Sequence, residues 1–383
     1  MIHILHLCSY YTGSTVYRDL INELAHDQRV GKQFVYSPIR SANLDRKYST
    51  SARNVSIYYA HCQNLMTRAS LLFKQLKFWH AFFSSPEARE GLNKATVIHA
   101  HTLYADGVMA YLMFRLYDKP YVVTVRGTDV NLGDRYFLLW RPLAKAVLRN
   151  AKHVFFVSPS HLTLTARRYS GQLAKTSVLS NGLNHYWLDN AVSRKQEAKQ
   201  TGTLTGVFIG AINRNKNLKA ALQAFHQAAN GRPYRFLVIG GNYRDFEQTF
   251  GKLEKAIQTH ISFQGFINDR SIIRKALASA DVFVMPSFSE TFGLTYLEAI
   301  SQGTPVVYSK GQGVDGYFED GEIGYACNPQ DINSITEAIR NTICRFPQGL
   351  QYPSVQDNPA QLFSWPKVAG QLINKGYQGI SAK

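Results

Sequence analysis

Two carboxylates, Glu290 and Glu298, are separated by seven residues that include a glycine, Gly293. The apolar run 281–285 precedes them and ends at a proline, whereas residues 294–300 are good helix formers. This pattern predicts a strand, a loop and a helix in succession. Glu290 would then lie in the loop and Glu298 one turn into the helix.

The start of such a helix presents unpaired backbone N–H groups, here near residues 292–295, at the carboxyl end of the strand. A diphosphate fits there. Phosphate repels Glu298, but this side chain can accept hydrogen bonds from the vicinal hydroxyls of a ribose, and Glu290 can do the same for a hexose. The spacing therefore favours a nucleotide sugar as the ligand. The alternative is that both carboxylates only complement the helix dipole.

A second candidate group is basic. Residues 210–217 follow a predicted strand and contain Arg214 and Lys216. A cation at such a strand end would neutralise a diphosphate as the bond to the sugar breaks and negative charge builds on the leaving oxygen.

Taken together, these motifs resemble the retaining glycosyltransferases of family GT4, which have the GT-B fold, and among them the enzymes of bacterial surface-polysaccharide and teichuronic-acid type. The most specific part is the glutamate pair around Phe292-Gly293, followed by the stretch Gly303-Thr304-Pro305-Val306-Val307. Other matches fall in the family's order along nearly the whole chain. They are Gly210, Lys216, Gly265-Phe266, residues 313–324, Arg126-Gly127-Thr128-Asp129 and Asn181-Gly182.

The resemblance implies a donor site built mainly by the second half of the chain. Its residues would be Gly13, Arg214, Lys216, Gly265, Phe266, Glu290, Phe292, Gly293, Leu294, Thr295 and Glu298. Backbone groups near Gly265 would hold the base, which suits uracil and hence a UDP sugar. This chain departs from the family at Ala211, where an arginine is usual, and at the Gly13 loop, where two glycines are usual. Arg214 either replaces the missing arginine or is a solvent-facing loop residue.

For the first half, the resemblance implies acceptor contacts from Ser14, Thr15, His101 and Asp129, and it assigns catalysis to Glu290, Lys216 and Arg126. Arg126 stands where many relatives have a histidine near the transferred sugar. An arginine stays protonated and cannot be a general base, but it can pair with a carboxylate. This predicts an acidic sugar on the donor or the acceptor. For His101, a purely structural role is the alternative.

The family also implies a mechanism with retention at the anomeric carbon and a front-face path. The departing phosphate oxygen would take the proton of the acceptor, while Lys216 and the helix start stabilise the diphosphate and Glu290 orients the sugar. His99, His101 and Asp106 resemble a metal cluster only superficially, because the sequence has neither a DxD pair after a strand nor a Cys/His set. No essential metal and no cofactor besides the donor is predicted.

Composition sets the class of protein. The chain has 383 residues, 45% of them hydrophobic, which suits two globular domains. No apolar run approaches the roughly 18 residues of a spanning helix. The N-terminus lacks the basic start of a signal peptide, and the four cysteines have no metal spacing. We therefore expect a cytoplasmic protein with reduced cysteines.

The formal charge of +17 lies mainly in the first half. Residues 1–200 carry 26 Lys and Arg against 12 Asp and Glu, whereas residues 201–383 carry 17 against 14. Such a field attracts anionic lipid, polyanionic polymers or nucleic acid. Because no nucleic-acid motif is present, an anionic membrane surface is the favoured partner and nucleic acid is not expected.

One segment, residues 68–83, suits the headgroup boundary of such a membrane. It interleaves Arg68, Lys74 and Lys77 with the large apolar residues Leu71, Phe78, Trp79, Phe82 and Phe83. The alternative is a helix that faces the core and whose lysines extend to solvent.

Short apolar runs alternate with helix-like segments along the chain, which predicts parallel sheets covered on both faces. The predicted strands are 2–7, 34–36, 55–59, 97–99, 122–125, 154–157, 206–209, 236–239, 261–263, 282–285 and 306–308. The fold class is α/β of GT-B type, with two doubly wound Rossmann-like domains facing across a cleft. The predicted boundaries are an acceptor-binding domain 1–186, a linker 187–203, a donor-binding domain 204–362 and a crossover helix 363–383.

The favoured interpretation is a GT4-like enzyme on the inner face of the cell membrane. It would extend a lipid-linked saccharide or an anionic surface glycan of the cell envelope. A nucleotide-sugar epimerase or a sugar phosphorylase of the same fold is one rival, although the sequence offers no convincing acid/base set for an epimerase. The rival from another class is a non-catalytic basic module that binds a polyanion or a membrane.

Overall fold

The computed structural model of the chain describes residues 1–133, 138–169, 173, 175–193 and 202–379, without the side chains of residues 68, 69, 132 and 133. Contacts divide these residues into two compact units. Unit 1 comprises residues 1–182 and the C-terminal segment from Trp365, and unit 2 comprises residues 183–364.

Unit 1 is built on a parallel sheet of seven strands in the order β3-β2-β1-β4-β5-β6-β7. The central strands are buried at almost every position, as expected for a sheet covered on both faces. The strands are β1 (Ile2–Leu7), β2 (Val30–Ile39), β3 (Val55–His61), β4 (Val97–Ala100), β5 (Tyr121–Val125), β6 (His153–Phe156) and β7 (Thr176–Val178).

Helices connect these strands. They are α1 (Thr15–His26), α2 (Leu65–Ala69), α3 (Leu71–Ser84), α4 (Pro86–Lys94), α5 (Ala105–Tyr117), α6 (Arg141–Asn150) and α7 (Pro159–Arg168), and a short 3-10 turn, Leu138–Trp140, precedes α6. Helix α1 shows how the sequence sets these elements. Ser14 caps its start by accepting a hydrogen bond from the Val16 N–H, and its apolar residues recur at helical spacing on the buried face.

Unit 2 has a parallel sheet of six strands in the order β10-β9-β8-β11-β12-β13. The strands are β8 (Leu204–Ile209), β9 (Tyr234–Ile239), β10 (Ile261–Phe263), β11 (Val282–Val284), β12 (Val306–Ser309) and β13 (Gly324–Cys327). The helices are α8 (His185–Asp189), α9 (Leu218–Ala229), α10 (Tyr243–Phe250), α11 (Lys255–Gln258), α12 (Arg270–Ser279), α13 (Leu294–Ser301) and α14 (Ile332–Arg345).

The chain returns to unit 1 at its end. Helix α15 (Trp365–Leu372) contacts α1, and the following turn Ile373–Tyr377 contacts β6. Tyr377 is buried, and its hydroxyl lies 2.6 Å from His99 Nδ1. Gly182 shows why this return needs a glycine, because a Cβ at this position would lie 2.1 Å from the Trp365 ring. The predicted C-terminal crossover onto the first domain is therefore confirmed.

The prediction of two doubly wound α/β domains is confirmed, and all eleven predicted strands are present. Two strands, β7 and β13, were missed. Each is the last strand at one edge of its sheet, where only one side is paired and the residues are only partly buried. Such strands need not be continuously apolar.

Two other expectations differ from the structure. The predicted linker began at residue 187, but Trp187 and Leu188 lie in helix α8 and are buried in the core of unit 2. Residues 194–201 of the linker lie outside the described part of the chain.

None of the described helices is long and apolar enough to cross a membrane.

Helix α3 decides between the two interpretations of residues 68–83. Leu71, Phe78 and Phe82 were favoured as membrane contacts, but they are buried in the core of unit 1, which agrees with the alternative of a helix that faces the core. The spacing of seven and four residues between them places all three on one side of a helix. The exposed apolar residues of α3 are instead Leu72 and Leu76.

Candidate active site

In the parallel sheet of unit 2, strands β9 and β10 are added on one side of β8, and strands β11 to β13 are added on the other side. The switch point lies between β8 and β11. Ligands of open parallel sheets bind at the carboxyl edge of such a switch point, because the loops after the two strands diverge there. Lys216 lies in the loop after β8, and Glu290 lies in the loop after β11. Strand order alone therefore brings these predicted residues to one place.

The two side chains form an ion pair, with Lys216 Nζ 2.5 Å from Glu290 Oε2. Both are largely shielded, since 22% of the lysine side chain and 13% of the glutamate side chain remain exposed. Asn215 ties the loops together. Its carbonyl accepts a hydrogen bond from the Phe288 N–H at 2.8 Å, and its Nδ2 donates to the Ser289 carbonyl at 2.8 Å.

Glu290 is also fixed through its backbone. Its N–H donates to Gln312 Oε1 at 3.0 Å, and its carbonyl accepts from the Gly313 N–H at 3.2 Å. Sequence reasoning singled out neither Asn215 nor Gln312, because a loop amide carries no local signal of the long-range bond it makes. Both are positioning residues, since they hold the loop that carries Glu290.

Helix α13 begins at Gly293, whose φ of 80° lies in the left-handed region. Within the described residues this start has no side-chain cap, so the first N–H groups of the helix, including those of Leu294 and Thr295, can serve an anion. A Cβ at Gly293 would lie 2.4 Å from the Tyr296 ring and 3.2 Å from Glu290 Cγ. The helix start and Glu290 are therefore in close proximity, as the sequence predicted.

Phe292 was predicted to contribute through the backbone N–H groups at the helix start, and this contact stays a prediction. Its side chain is buried and packs against Tyr317 and Phe363. Only its backbone can contribute to a site at the helix start, and its ring belongs to the core.

Glu298 lies one turn into α13, as predicted, and burial raises its pKa to about 7. The charge of Arg270 and a hydrogen bond from the Trp187 side chain act in the opposite direction. Arg270 is the first residue of α12 and donates to Asn184 Oδ1 at 3.2 Å. No sequence pattern predicts that Arg270 lies near Glu298, because the two residues are on different helices.

Of the remaining predicted donor residues of unit 2, Phe266 and Arg214 are exposed and Gly265 is partly exposed. The carbonyl of Gly265 accepts a hydrogen bond from the Gly240 N–H at 2.7 Å, which ties the ends of β9 and β10 together. The ring of Phe266 is 77% exposed beside this turn. Arg214 is exposed on the 3-10 turn Arg214–Lys216. Its replacement of the family's missing arginine stays a prediction.

In unit 1, Arg126 follows β5 at the carboxyl edge and is almost completely buried. Its Nε donates to the His101 carbonyl at 3.2 Å, and its Nη1 donates to Asn181 Oδ1 at 3.1 Å. The guanidinium also lies 4.5 Å from the centre of the Tyr17 ring. The side chain is thus held in one orientation before any ligand binds.

Two predicted acceptor residues have other partners. Asp129 Oδ2 accepts the Arg126 N–H at 3.0 Å, and burial raises the pKa of this carboxyl to about 6. His101 is completely buried, its Nε2 lies 3.0 Å from His6 Nδ1, and burial lowers its pKa well below the usual value. Both residues therefore hold the loop of Arg126 in the structure, and their contact with an acceptor stays a prediction.

The loop after β1 carries the other predicted residues of unit 1. Gly13 and Thr15 are exposed, and Ser14 is partly exposed with its hydroxyl at the cap of α1. The Asp106 carboxylate accepts the Ser9 N–H at 3.0 Å, and burial raises its pKa to about 7. This bond joins the loops after β1 and β4, which flank the switch point of this sheet.

The ring nitrogens of His6, His99 and His101 lie within 4.8 Å of one another, which is the spacing of a metal site. Their chemistry fits a metal poorly. The nitrogens of His6 are bonded to His101 and Gln33, and those of His99 are bonded to Tyr377 and Thr124. Only His101 Nδ1 has no partner among the described residues. The rings of His99 and His101 are also stacked, at 4.1 Å between centres, so their in-plane lone pairs do not converge.

Comparison with known families identifies the family to which the chain belongs. The family described as Glycosyltransferase Family 4 matches residues 35–186, and the family described as Glycosyl transferases group 1 matches residues 189–343. Together they cover most of the chain, with one family on each half. The chain belongs to the GT4-type glycosyltransferases, as its glutamate pair indicated.

Individual relatives agree with this assignment. A glycogen synthase from Mycobacterium tuberculosis is 27% identical over 254 residues, which span 64% of this chain and 60% of that protein. A sucrose-phosphate synthase from Thermosynechococcus elongatus has a TM-score of 0.73 at 19% identity, covering 98% of both chains. HepE of Anabaena, solved with UDP and glucose, has a TM-score of 0.64 at 16% identity, covering 98% of this chain and 99% of that one. The fold is GT-B.

Proposed function

We propose that this protein transfers a hexose from a nucleotide diphosphate sugar, a UDP sugar, to a lipid-linked saccharide or an anionic surface glycan. The observation that carries the proposal is the Lys216–Glu290 pair at the switch point of unit 2, beside an uncapped helix start at Gly293. The cation suits the diphosphate of such a donor, and the carboxylate suits its sugar hydroxyls. The N–H groups at the helix start suit the leaving oxygen of the bond that breaks.

Without ligand, Lys216 and Glu290 neutralise each other. A diphosphate at the helix start offers the ammonium of Lys216 a stronger anionic partner, because two phosphates carry more charge than one carboxylate. Glu290 is then free to accept hydrogen bonds from the sugar hydroxyls. Asn215 and Gln312 keep its backbone in place during this exchange of partners.

In the chemical step, the bond between the anomeric carbon and the phosphate oxygen breaks, and the electron pair stays on the phosphate. Lys216 and the N–H groups at the start of α13 stabilise this charge. The departing oxygen takes the proton of the acceptor hydroxyl, whose oxygen bonds to the anomeric carbon from the same face. Configuration is thereby retained, and no enzyme carboxylate attacks the sugar, unlike in a retaining glycosidase. This path needs no essential metal.

The base and ribose are assigned to the other end of the donor site. Glu298 on α13 would bind the ribose, and the turn at Gly265 with the exposed ring of Phe266 would hold the base. Uracil is supported by the solved structure of HepE with UDP. Gly13 of unit 1 is retained as a proposed contact to the donor phosphates.

The raised pKa of Glu298 gives a pH prediction for nucleotide binding. The free carboxyl titrates near pH 7 because burial favours its neutral form, whereas two ribose hydroxyls would stabilise its charged form. The pKa should therefore fall on binding, so affinity for UDP rises as pH increases through 7 and levels off above it. Calorimetric titration at several pH values should show proton release, and Glu298→Gln should remove the dependence. A pH-independent affinity in the unmodified protein would contradict this role of Glu298.

Arg126 gives a prediction about substrate. Its guanidinium is already held by His101 and Asn181, so it can pair with a carboxylate at little ordering cost. Transfer from a hexuronic donor, or onto a hexuronic acceptor, should be faster than transfer with the corresponding neutral hexose. Arg126→Lys should reduce this preference by about tenfold, because lysine loses the bidentate geometry. Equal rates with acidic and neutral substrates, together with an unaffected lysine variant, would rule the acidic-sugar proposal out.

The acceptor is proposed from charge. The excess of Lys and Arg in residues 1–200 favours an acceptor that is anionic or bound to an anionic surface. Ser14 and Thr15 are proposed as acceptor contacts, since they lie at the carboxyl edge of unit 1. An acceptor of this kind would place the enzyme on the inner face of the cell membrane.

Measuring the release of UDP tests the function directly. The purified protein is mixed with a UDP sugar, with and without membrane lipid extract as acceptor. Release that depends on the acceptor supports transfer, whereas a change of sugar configuration without release would indicate an epimerase. Binding of lipid or polymer with no turnover of any donor would indicate a non-catalytic module.

A further inference from the structure

Two segments of unit 1, residues 65–76 and 138–139, together expose six large aliphatic side chains. They have between 57% and 92% of their surface exposed, and Leu139 is the most exposed of them. We call this set the apolar edge patch, and it consists of Leu65, Met66, Leu72, Leu76, Leu138 and Leu139. Leaving this much aliphatic surface in water is unfavourable unless it has a partner.

Topology brings the two segments to one layer of helices. The connections β3 to β4, β4 to β5 and β5 to β6 all move in the same direction across the sheet. Because such crossovers are right-handed, α2, α3, α5 and α6 cover the same face. Helix α5 contacts both α3 and α6.

The segments also lie at the same end of this layer. Leu65 and Met66 follow the carboxyl end of β3, and Leu138 and Leu139 precede α6, which runs back to the start of β6. Both are therefore at the carboxyl edge of the sheet. Arg126 and the loop of Gly13 lie at this edge of unit 1 as well.

The two stretches of sequence that contain the patch are strongly basic. Residues 46–86 contain six Lys and Arg and no Asp or Glu, and residues 135–188 contain eight and none. These two stretches include both segments of the patch and account for the whole excess of basic residues in the first half. On α6, Arg141, Lys145 and Arg149 are exposed at intervals of four residues, so they form one basic stripe.

We propose that the apolar edge patch inserts into the surface of an anionic bilayer while the basic stripe of α6 binds its headgroups. Aliphatic side chains beside Lys and Arg suit a lipid boundary, whereas single-stranded nucleic acid is bound by basic grooves with stacking aromatic residues. Docking in this way directs the carboxyl edge of unit 1 to the lipid. It deepens the proposed function, because that edge bears the predicted acceptor contacts, but docking itself does not depend on transfer.

Sedimentation with vesicles tests this proposal on the full chain. Vesicles of phosphatidylcholine with about one third phosphatidylglycerol should bind the protein, and binding should weaken with added salt. The double variant Leu138→Ser with Leu139→Ser should bind about tenfold or more weakly. Matched controls are Leu116→Ser, at the opposite end of α5, and Leu362→Ser in unit 2, which remove leucines of 64% and 61% exposure. Both controls should bind as the unmodified protein does.

A charge variant tests the basic stripe. Changing Arg141, Lys145 and Arg149 to glutamine should reduce binding to anionic vesicles about a hundredfold or more, at roughly fivefold per charge, and should not affect the weak binding to phosphatidylcholine alone. Equal binding of the leucine double variant and the unmodified protein would overturn the proposal. Salt-sensitive binding of RNA without binding of vesicles would overturn it in favour of a nucleic-acid surface. Glu290→Gln should bind vesicles normally while losing transfer, which separates docking from the proposed function.

Discussion

Replacing Lys216 with alanine is expected to reduce kcat for sugar transfer by about 10²–10³-fold, the usual cost of removing one group that stabilises a developing oxyanion. Lys216 pairs with Glu290 at 2.5 Å in the free protein and would face the diphosphate when the donor is bound. Without it, the charge that builds on the leaving oxygen is met by the helix start alone. The rate is measured as UDP release in the presence of acceptor.

Two further variants make the result specific. Lys219→Ala removes a lysine three residues later, whose Nζ lies 3.4 Å from the Phe250 carbonyl, and should leave kcat unchanged. Arg214→Ala should cost a similar factor to Lys216→Ala if Arg214 replaces the arginine missing at Ala211, and nothing if it only faces solvent. A Lys216→Ala variant that folds normally and keeps its kcat would exclude the proposed role of this residue.

Replacing Gly293 with alanine is expected to destabilise the protein by about 2–4 kcal/mol, because the left-handed backbone and a steric clash add together. The new Cβ would lie 2.4 Å from the buried Tyr296 ring. Tyr296 cannot move freely, since its hydroxyl donates to the Met285 carbonyl at 2.5 Å. The start of α13 must therefore shift, and UDP affinity should fall at least about tenfold because the N–H groups no longer converge on the phosphates.

Gly231 provides the control. Its φ of 79° is close to the 80° of Gly293, but it is exposed and a Cβ there has nothing within 4 Å. Gly231→Ala should cost only about 1 kcal/mol from backbone strain and should leave UDP binding unchanged. Urea unfolding gives the two stabilities, and calorimetry gives the two affinities. Equal effects of the two variants would show that the helix start at Gly293 has no special role.

The donor half of the site was predictable because its signals are local. Glu290, Gly293 and Glu298 lie within nine residues, and a strand, a turn and a helix follow directly from those residue types. The contact between Lys216 and Glu290 is different in kind. It joins residues 74 positions apart and depends on β8 and β11 being neighbours, which propensity does not specify.

Burial was the least predictable property. His101 and Asp129 are polar residues at strand ends, a pattern typical of ligand contacts, yet both are buried and hold the loop of Arg126. In α3, sequence spacing showed that the helix is amphipathic but not which apolar residues the core would take. The side of α3 that bears Phe78 and Phe82 packs in the core, whereas Leu72 and Leu76 are exposed.

The most direct test of the central claim is a thermal-shift titration with UDP, GDP and ADP and their sugars, run on the unmodified protein and on Glu298→Ala. The account predicts that UDP and one UDP sugar raise the melting temperature selectively, and that Glu298→Ala loses this stabilisation while remaining folded. If no nucleotide or nucleotide sugar stabilises the unmodified protein, unit 2 does not hold the donor site described above. The same conclusion follows if a nucleotide stabilises Glu298→Ala as much as it stabilises the unmodified protein.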